Sequence, residues 1–508
     1  MNVLKSLSPK KSAGWDELSP FLVKRCADLL YKPLTFLINR SLQEGLFPKL
    51  LKFSVVSPIQ EKDNNFTLDN FRPVSLIPTF SKVFERIVFS RLYSYFERNN
   101  IFTMHQFGFK KGKSTCDAIF EFLDSVSSAV DGSQFTVGAF CDLSKAFDCV
   151  DLGVLVAKLR YYGIDGTALS WLSSYLNDRQ QKVCVDGRAE SNFQKVKSGV
   201  PQGSILGPLL FLIYSNDLPS VVEKSKVVLY ADDTSIVATH NNPEELSSIM
   251  TEQFRQLQDW FSSNGLKLNP GKTQIVNFHV NNCNSPHSNT SYLPNDYSIV
   301  SSVKFLGVVI DSTLTWRAHV EQLLPKLSRA SYALLTLSYC VDHQTLRQVY
   351  YAYFHSHMSY GILFWGNSSD SGKVFLMQKR AIRIITRSKY SDSCKQHFID
   401  LKILPLPSLF IFRSLLFVHA NLDRFYKKNH THSHFTRNTG LLQYPLHRTT
   451  FFEKAPFYSC ISLYNYLPNS IKQMPTRALF KKSLFHFLIS HCFYSVPEYL
   501  AFTSGRTI

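Results

Sequence analysis

The spacing of apolar and polar positions predicts an α+β chain, in which short buried strands alternate with amphipathic helices. Apolar residues recur at helical intervals in three segments, at 21–44, 80–99 and 244–263. Continuous apolar runs of the kind found in buried strands occupy 135–143, 227–238 and 303–311. In the first helical segment, Pro33 is expected to interrupt the helix and Gly45 to end it. Beyond Thr315 the pattern becomes helical again.

Two adjacent acids, Asp232 and Asp233, divide the apolar run at 227–238. Apolar, β-branched residues on both sides of a polar pair predict a strand, a tight turn and a second strand. Neighbouring carboxylates repel each other, so the pair is either a solvated turn or part of a divalent-metal site. The metal site requires a third carboxylate from elsewhere in the chain.

Asp142 is the candidate for that third carboxylate, because it follows directly on the apolar run that begins at 135. An acid at the end of a buried strand is costly unless it is paired or bound to a metal ion. Between Asp142 and the acidic pair lies a segment rich in Gly, Pro and Gln, at 198–208, which allows the backbone to approach a ligand closely. It lacks the Gly-Lys-Ser/Thr ending of a P-loop. Together these features favour the metal site over the solvated turn.

Several basic residues are candidates for contact with phosphate. Arg72 precedes a proline, which holds it on extended backbone, and Lys110 lies in a glycine-punctuated loop at 106–115. Between 373 and 387 an amphipathic pattern places Arg380, Arg383 and Arg387 on the polar face of a predicted helix. For all of them an ordinary solvated surface is the alternative interpretation.

Composition strengthens the case for a polyanionic partner. The 508 residues carry a formal charge of +18, with 44% hydrophobic and 19% charged residues, as expected of a globular chain of two to four domains or subdomains. Ten cysteines without a CxxC pair predict ordinary thiols in a reducing compartment. No apolar run reaches the ~18 residues that span a bilayer, so an intracellular chain without a membrane segment is expected. The histidine-rich piece at 426–437 is predicted to be a linker rather than a metal tract.

Seven motifs stand in one order that is similar to the successive motifs of reverse transcriptases from LINE-type (non-LTR) retrotransposons of the jockey-like group. They lie at 71–76, 106–115, 142–148, 199–203, 230–233, 266–272 and 305–307. The resemblance covers about residues 8–400 and, more loosely, 463–468 and 480–483. The opening residues look like the interior of a longer polyprotein, so an N-terminally truncated chain without its endonuclease is expected.

The resemblance implies an α+β fold shaped like a right hand. Fingers, an antiparallel-sheet palm and a helical thumb would follow each other along the chain. The implied divisions are an N-terminal helical extension at 1–50, fingers at 51–134, a palm with fingers-side insertions at 135–311, a thumb at 312–400 and a C-terminal segment of unknown role at 401–508.

By the same resemblance Asp142 and Asp232 would hold two Mg²⁺ ions, with Mn²⁺ as a substitute, and Asp233 would complete the acidic cluster. Hard oxygen ligands are those that Mg²⁺ prefers. The helix carrying Arg380, Arg383 and Arg387, together with the Lys110 loop, would follow nucleic-acid phosphates without reading sequence.

The resemblance also assigns five side chains to the incoming nucleotide. Lys62 and Arg72 would grip the triphosphate, and Gln202 would lie beside the templating pair. Phe147 matches a steric gate that leaves no room for a 2′-hydroxyl, with a plain core residue as the alternative. Lys272 matches a proton donor to pyrophosphate, with a solvated turn lysine as the alternative.

The implied activity is RNA-directed DNA synthesis from a primer 3′-hydroxyl. The implied partners are an RNA template, a DNA primer, dNTPs and a particle with the element's own RNA, acting in the nucleus after a cytoplasmic stage. Two alternatives from other classes are an inactive nucleic-acid-binding remnant and a maturase-like splicing cofactor.

Overall fold

The computed structural model describes residues 1–60, 67, 70–143, 145–185, 189–280, 297–425 and 441–504. Within these residues strands and helices alternate up to Asp311, and helices alone follow. The strands are β1 (Phe53–Gln60), β2 (Phe71–Leu76), β3 (Phe135–Cys141), β4 (Gln180–Val185), β5 (Ala189–Glu190), β6 (Gln194–Lys195), β7 (Lys226–Tyr230), β8 (Asp233–His240), β9 (Gln274–Phe278), β10 (Ser298–Ile299), β11 (Ser302–Phe305) and β12 (Val308–Asp311).

The helices up to residue 263 lie before, between and beside these strands. They are α1 (Asn2–Lys5), α2 (Pro20–Arg25), α3 (Ala27–Glu44), α4 (Thr79–Arg98), α5 (Thr115–Asp131), α6 (Ala146–Cys149), α7 (Leu152–Tyr161), α8 (Gly166–Leu176), α9 (Leu206–Tyr214) and α10 (Pro243–Ser263). Short 3₁₀ helices cover Lys49–Lys52 and Leu218–Val221.

Helices form the whole of the regular structure after β12 in the described residues. They are α11 (Arg317–Ser338), α12 (His343–Val349), α13 (Ser356–Ser359), α14 (Ile362–Trp365), α15 (Ser371–Thr386), α16 (Lys395–Asp400), α17 (Leu406–Ala420), α18 (Thr450–Glu453), α19 (Pro456–Asn465), α20 (Asn469–Lys472), α21 (Arg477–His491) and α22 (Val496–Thr503). A π-helical turn covers Tyr350–His355 and a 3₁₀ turn covers Leu422–Arg424. No described helix has the length and apolar character needed to cross a membrane.

The first predicted helix differs from the sequence expectation at Pro33, which lies inside α3 instead of interrupting it. The break comes earlier, at Cys26, between α2 and α3. A proline leaves the carbonyl four residues earlier without its helical partner. That carbonyl belongs to Leu29, an exposed residue, so water can satisfy it. Gly45 ends the helix as predicted, at a left-handed φ of 68°.

The five-stranded central sheet has the strand order β10-β9-β3-β8-β7, with β3 in the middle. β7 and β8 pair antiparallel with Tyr230 opposite Asp233, which leaves Ala231 and Asp232 as a two-residue turn. The predicted hairpin is therefore confirmed. Along β3 and β8 the side chains alternate between two separate hydrophobic clusters, as the two faces of a pleated strand require. The sheet is thus buried on both faces.

A second sheet carries the order β2-β1-β4-β5, with β6 also paired to β4. β1 is antiparallel to β2 and parallel to β4. The strands β4 to β6 come from between β3 and β7, so the chain leaves the central sheet, completes this second sheet, and returns. β11 and β12 form a separate two-stranded sheet.

The C-terminal helices are part of the same hydrophobic core as α5 and α11. Their attachment includes Asp131 at the end of α5, whose carboxylate accepts hydrogen bonds from the backbone N–H groups of Arg448 and Thr449 and from the Thr449 hydroxyl. Arg424 forms an ion pair with Glu121 on the same helix. The described residues of the segment 401–504, whose role the sequence leaves unknown, therefore pack directly against the helix that covers the central sheet.

Candidate active site

Three carboxylates, Asp142, Asp232 and Asp233, lie together at one end of the strands of the central sheet. We call this end of the sheet the acidic edge. Cys141, the last residue of β3, is paired with Thr234 on β8. Asp142 therefore follows its strand at the same edge where the β7–β8 turn presents Asp232 and Asp233. Antiparallel pairing produces this meeting, because the C-terminal end of one strand lies beside the start of its neighbour.

The electrostatics of the turn reflect this crowding. Burial raises the pKa of Asp232, the Arg72 guanidinium opposes the shift, and the charge of Asp142 adds to it. Burial, followed by the charges of Asp232 and Asp142, raises the pKa of Asp233 to about 6. Each carboxylate makes the ionised form of its neighbours less favourable, so a cation placed among them would be stabilised.

The acidic edge has the oxygen donors of a Mg²⁺ site but does not supply a complete ligand set. In the described part of the chain, no three His, Cys, Asp or Glu side chains are grouped closely enough to hold a metal ion by themselves. Mg²⁺ commonly keeps several waters and takes one or two carboxylates together with substrate phosphates. The residues present fit that mode of binding, in which the substrate completes the ligand set.

Lys272 lies at the same edge. Its Nζ is 3.5 Å from Oδ2 of Asp142, and both side chains are substantially exposed. The loop that carries Lys272 is fixed to the strand end by the backbone, because the N–H of Asn269 donates to the carbonyl oxygen of Asp142 over 3.0 Å. The predicted proton donor is therefore close to the carboxylates, while its role stays a prediction.

A chain of hydrogen bonds links Arg72 to the segment after β3. Nε of Arg72 donates to Oε1 of Gln202 over 3.2 Å, and Nε2 of Gln202 donates to Oδ2 of Asp148 over 3.2 Å. Burial raises the pKa of Asp148, and its contacts with Gln202, Lys145 and Arg72 oppose that shift. Since an amide has one donating and one accepting end, Asp148 orients Gln202 so that its oxygen faces Arg72. We call these three side chains the Arg72–Gln202–Asp148 relay.

The backbone holds the relay's glutamine in place. The N–H of Ser75 on β2 donates to the carbonyl oxygen of Gln202 over 2.7 Å. The next residue, Gly203, has a φ of 118°, and a Cβ there would lie 2.6 Å from the Ser75 carbonyl oxygen. Only glycine permits both this conformation and this approach, which explains the glycine-rich segment that the sequence singled out.

Phe147 is largely buried, with 8% of its surface exposed. Its ring stacks on Phe211 at a centroid distance of 4.7 Å and meets the edge of Phe109 at 6.4 Å. The core interpretation of Phe147 therefore has direct packing support. Its action on the sugar stays a prediction.

A cavity of 680 Å³ opens between the second sheet and the relay. Gln202 and Asp148 form part of its wall, which is otherwise mostly uncharged and also includes four basic side chains: Lys145, Arg179, Lys195 and Lys197. Its walls thus combine positive charge with the face of β1 and β4.

The other predicted basic residues are more engaged with protein than expected. Nζ of Lys110 donates to the carbonyl oxygen of Thr103 over 3.1 Å and lies over the Phe102 ring. Nη2 of Arg383 donates to the Asp392 carbonyl oxygen.

The other arginines of this helix differ from each other. Nη2 of Arg387 donates over 2.7 Å to the carbonyl oxygen of Ser338, at the end of α11, whereas Arg380 is exposed on α15. Both residues border a 560 Å³ groove with the exposed rings of Tyr339 and Tyr390. Arg380 and Arg387 are thus exposed and Arg383 is half-buried, while Arg383 and Arg387 also donate to main-chain carbonyls. The contact of these arginines with nucleic-acid phosphates stays a prediction. Lys62 lies outside the described residues.

Two further polar residues next to the site have no role in the sequence-based prediction. Asp148 was visible as an acid six residues after Asp142, and Gln106 as the first residue of a glycine-containing loop. Their partners are Gln202 and Ala231, which are far away in sequence. Local patterns carry no signal for such contacts.

Comparison with known proteins identifies the class. Residues 59–310 match the family described as reverse transcriptase (RNA-dependent DNA polymerase). This segment, about half of the chain, belongs to the reverse transcriptase family, and the fold is a mixed α/β polymerase fold.

The particular relatives are polymerases of mobile elements. Over 410 residues the chain is 29% identical to the probable RNA-directed DNA polymerase from transposon BS of Drosophila melanogaster, covering 77% of this chain and 44% of that protein. It is 26% identical over 424 residues to the RNA-directed DNA polymerase from mobile element jockey of the same species, covering 79% and 45%. The chain thus spans less than half the length of these curated relatives.

Among solved structures, an apo telomerase from Candida tropicalis truncated from its C-terminal domain has a TM-score of 0.36 and 10% identity to this chain. The match covers 53% of this chain and 55% of that one. A likeness at this level carries no argument about this protein.

Proposed function

We propose that this chain is an RNA-directed DNA polymerase of a non-LTR retrotransposon, which adds dNTPs to a primer 3′-hydroxyl on an RNA template. The observation that carries the proposal is the meeting of Asp142 with Asp232 and Asp233 at one edge of the central sheet. Membership of the reverse transcriptase family supports it.

In this proposal Asp142 and Asp232 hold two Mg²⁺ ions, and Asp233 sets the local negative charge. The bound ions would make the primer hydroxyl a better nucleophile and neutralise charge on the triphosphate. The chain's own contribution is to hold the reacting groups in line. Arg72, held by its hydrogen bond to Gln202, would donate to a phosphate oxygen on which negative charge grows.

The proposed hand follows the two sheets. The central sheet, which carries the three carboxylates, would be the palm within 135–311. The second sheet, which carries Arg72 and supports Gln202, would be the fingers, built from 51–134 and joined by β4 to β6 from within the palm segment. The helices of 312–400 would be the thumb. Residues 1–50 would extend the fingers, and the described residues of 401–508 would buttress palm and thumb.

The proposed partners follow from charge and from the cavity beside the relay. A net charge of +18 favours a polyanion. The basic wall of the cavity would accept the template strand where it reaches the active site. Assembly with the element's RNA and action in the nucleus belong to the same proposal.

Primer extension tests the proposal directly. The intact chain is incubated with an RNA template, a DNA primer, dNTPs and Mg²⁺ or Mn²⁺, and products are resolved by length. Asp142→Asn and Asp232→Asn should each lower the extension rate by about a thousandfold or more, as loss of several kcal/mol of transition-state stabilisation requires.

Asp259→Asn is the matched control, because this exposed aspartate on α10 pairs only with Arg255 in the described structure and should extend at the wild-type rate. Absence of product from the intact chain with either metal would overturn the proposal. Wild-type activity of the Asp232→Asn variant would do the same.

A further inference from the structure

A short segment before α5 extends the central sheet beyond its edge strand. The N–H of Leu229 on β7 donates to the carbonyl oxygen of His105 over 2.9 Å, and the N–H of Phe107 donates to the carbonyl oxygen of Leu229 over 2.8 Å. Residues 105–107 therefore lie beside the strand that leads into the carboxylate turn. This places the side chain of Gln106 next to the turn itself.

The side-chain oxygen of Gln106 holds the turn. Oε1 accepts a hydrogen bond from the N–H of Ala231 over 3.0 Å and a second from the N–H of Gly108 over 2.8 Å. The residue is 2% exposed, so water does not replace these bonds. In the described structure its Nε2 is buried and without a partner. Burying an unpaired donor costs free energy, which the two hydrogen bonds to Oε1 offset. Gln106 thus acts through its acceptor alone.

The backbone of the loop at Gly108 also lies in close contact with the turn. A Cβ added at Gly108 would lie 2.3 Å from the nitrogen of Ala231 and 2.8 Å from the carbonyl carbon of Tyr230. Neither atom can move aside without moving the turn. Glycine is therefore required at this position by close approach.

The conformation that Gln106 holds is an unfavourable one. Ala231 has a φ of 57°, a left-handed conformation that is unfavourable for a residue with a Cβ. A strained turn persists only where its surroundings determine it. The hydrogen bond from Ala231 to Gln106 is such a determinant, and the next two residues are Asp232 and Asp233.

We propose that Gln106 is a positioning residue of the active site. By holding the Ala231 N–H, its side-chain oxygen fixes the left-handed turn and so sets the direction in which the carboxylates of Asp232 and Asp233 face Asp142. Because Gln106 is 2% exposed, it acts through the turn and not by contact with a substrate. The inference rests on the proposed function only for its catalytic consequence, since the contact itself belongs to the protein.

The first test measures the turn without any reaction. Hydrogen exchange is followed by mass spectrometry in peptides that span 227–236, for the wild type, Gln106→Leu and Gly108→Ala. Leucine removes the acceptor and keeps similar bulk, and alanine pushes the loop away while it leaves Gln106 unchanged. Both should speed exchange at the turn by about tenfold to a hundredfold, because a buried N–H that loses its acceptor is less protected from exchange.

Gln378→Leu is the matched control. Gln378 is also fully buried, and its Oε1 also accepts a backbone N–H, that of Leu406, over 2.7 Å, but it lies on α15. This variant should lower the unfolding temperature at least as much as Gln106→Leu and leave exchange at 227–236 as in the wild type. Wild-type exchange at the turn in both Gln106→Leu and Gly108→Ala would overturn the inference.

The second test measures the catalytic consequence. In single-turnover extension, Gln106→Leu should raise the Mg²⁺ concentration for half-maximal rate and lower the maximal rate by about tenfold or more, with unchanged affinity for the primer–template. A metal dependence equal to that of Gln378→Leu would overturn the positioning role. If the wild type itself does not extend primers, the proposed function fails, while the exchange measurement still decides whether Gln106 holds the turn.

Discussion

The Arg72–Gln202–Asp148 relay leads to the most specific prediction about dNTP binding. Asp148→Ala removes the acceptor for Gln202 and frees that amide to rotate, so Arg72 loses the oxygen that orients it. Gln202→Leu removes the same link from its middle. If the relay orients Arg72 toward the triphosphate, each variant alone should cost nearly as much as both together.

The geometry sets the size of the effect. A hydrogen bond to a charged group contributes ~1.5–3 kcal/mol, and the two relay distances of 3.2 Å are at the long end of the usual range. We therefore expect the lower value, ~1.5 kcal/mol, which corresponds to about a tenfold change. Asp148→Ala should raise KM for dNTP by about tenfold, while kcat changes less.

The assay is steady-state extension over a range of dNTP concentrations for both single variants, the double variant and Asp148→Asn. Asparagine keeps an oxygen that can accept from Gln202, so this variant should stay within about threefold of wild type. A double-mutant cycle should give a coupling of ~1.5 kcal/mol between positions 148 and 202. Additive effects within about 0.5 kcal/mol would refute the relay.

Three further predictions concern stability and selectivity. Phe147→Val should lower the unfolding free energy by ~2 kcal/mol through its lost packing on Phe211, and should admit ribonucleotides in extension assays; unchanged sugar discrimination would leave Phe147 a core residue only. Burial lowers the pKa of His319 from 6.5 to about 4. As the pH falls from 6.5 to 4, the unfolded chain therefore binds the proton before the folded one, and the unfolding free energy should fall by ~3 kcal/mol. Denaturant titrations of His319→Gln should show a flatter dependence over that range, and an identical slope would contradict this. Asp131→Ala should lower the unfolding free energy by ~3 kcal/mol, because the N–H groups at 448 and 449 lose a buried acceptor, and limited proteolysis should then release the C-terminal segment; wild-type resistance would count against that anchor.

Much of the local structure could be predicted from apolar spacing. The helix expected at 244–263 runs from Pro243 to Ser263, and that expected at 80–99 runs from Thr79 to Arg98. Both have a periodic apolar face that packs against the core, so pattern and packing agree. Pro33 was predicted wrongly because its cost depends on whether the freed carbonyl reaches water, and the pattern does not report that.

The basic residues show a different limit. The spacing placed Arg383 and Arg387 on the polar side of a helix, but whether a polar side faces solvent or another main chain depends on what packs beside it. Arg383 meets the carbonyl of Asp392 and Arg387 that of Ser338. A helical pattern carries no information about carbonyls on neighbouring segments.

The sequence by itself determined where each acid lies on its own element: Asp142 at the end of a strand, and Asp232 and Asp233 at a hairpin turn. Strand period and turn composition are local properties, so they can be read from neighbouring residues. Only the tertiary structure decided what surrounds these acids. Gln106 reaches a backbone N–H 125 positions away, and Arg72 a glutamine 130 positions away. Such contacts depend on how sheets and loops pack, which no local pattern specifies.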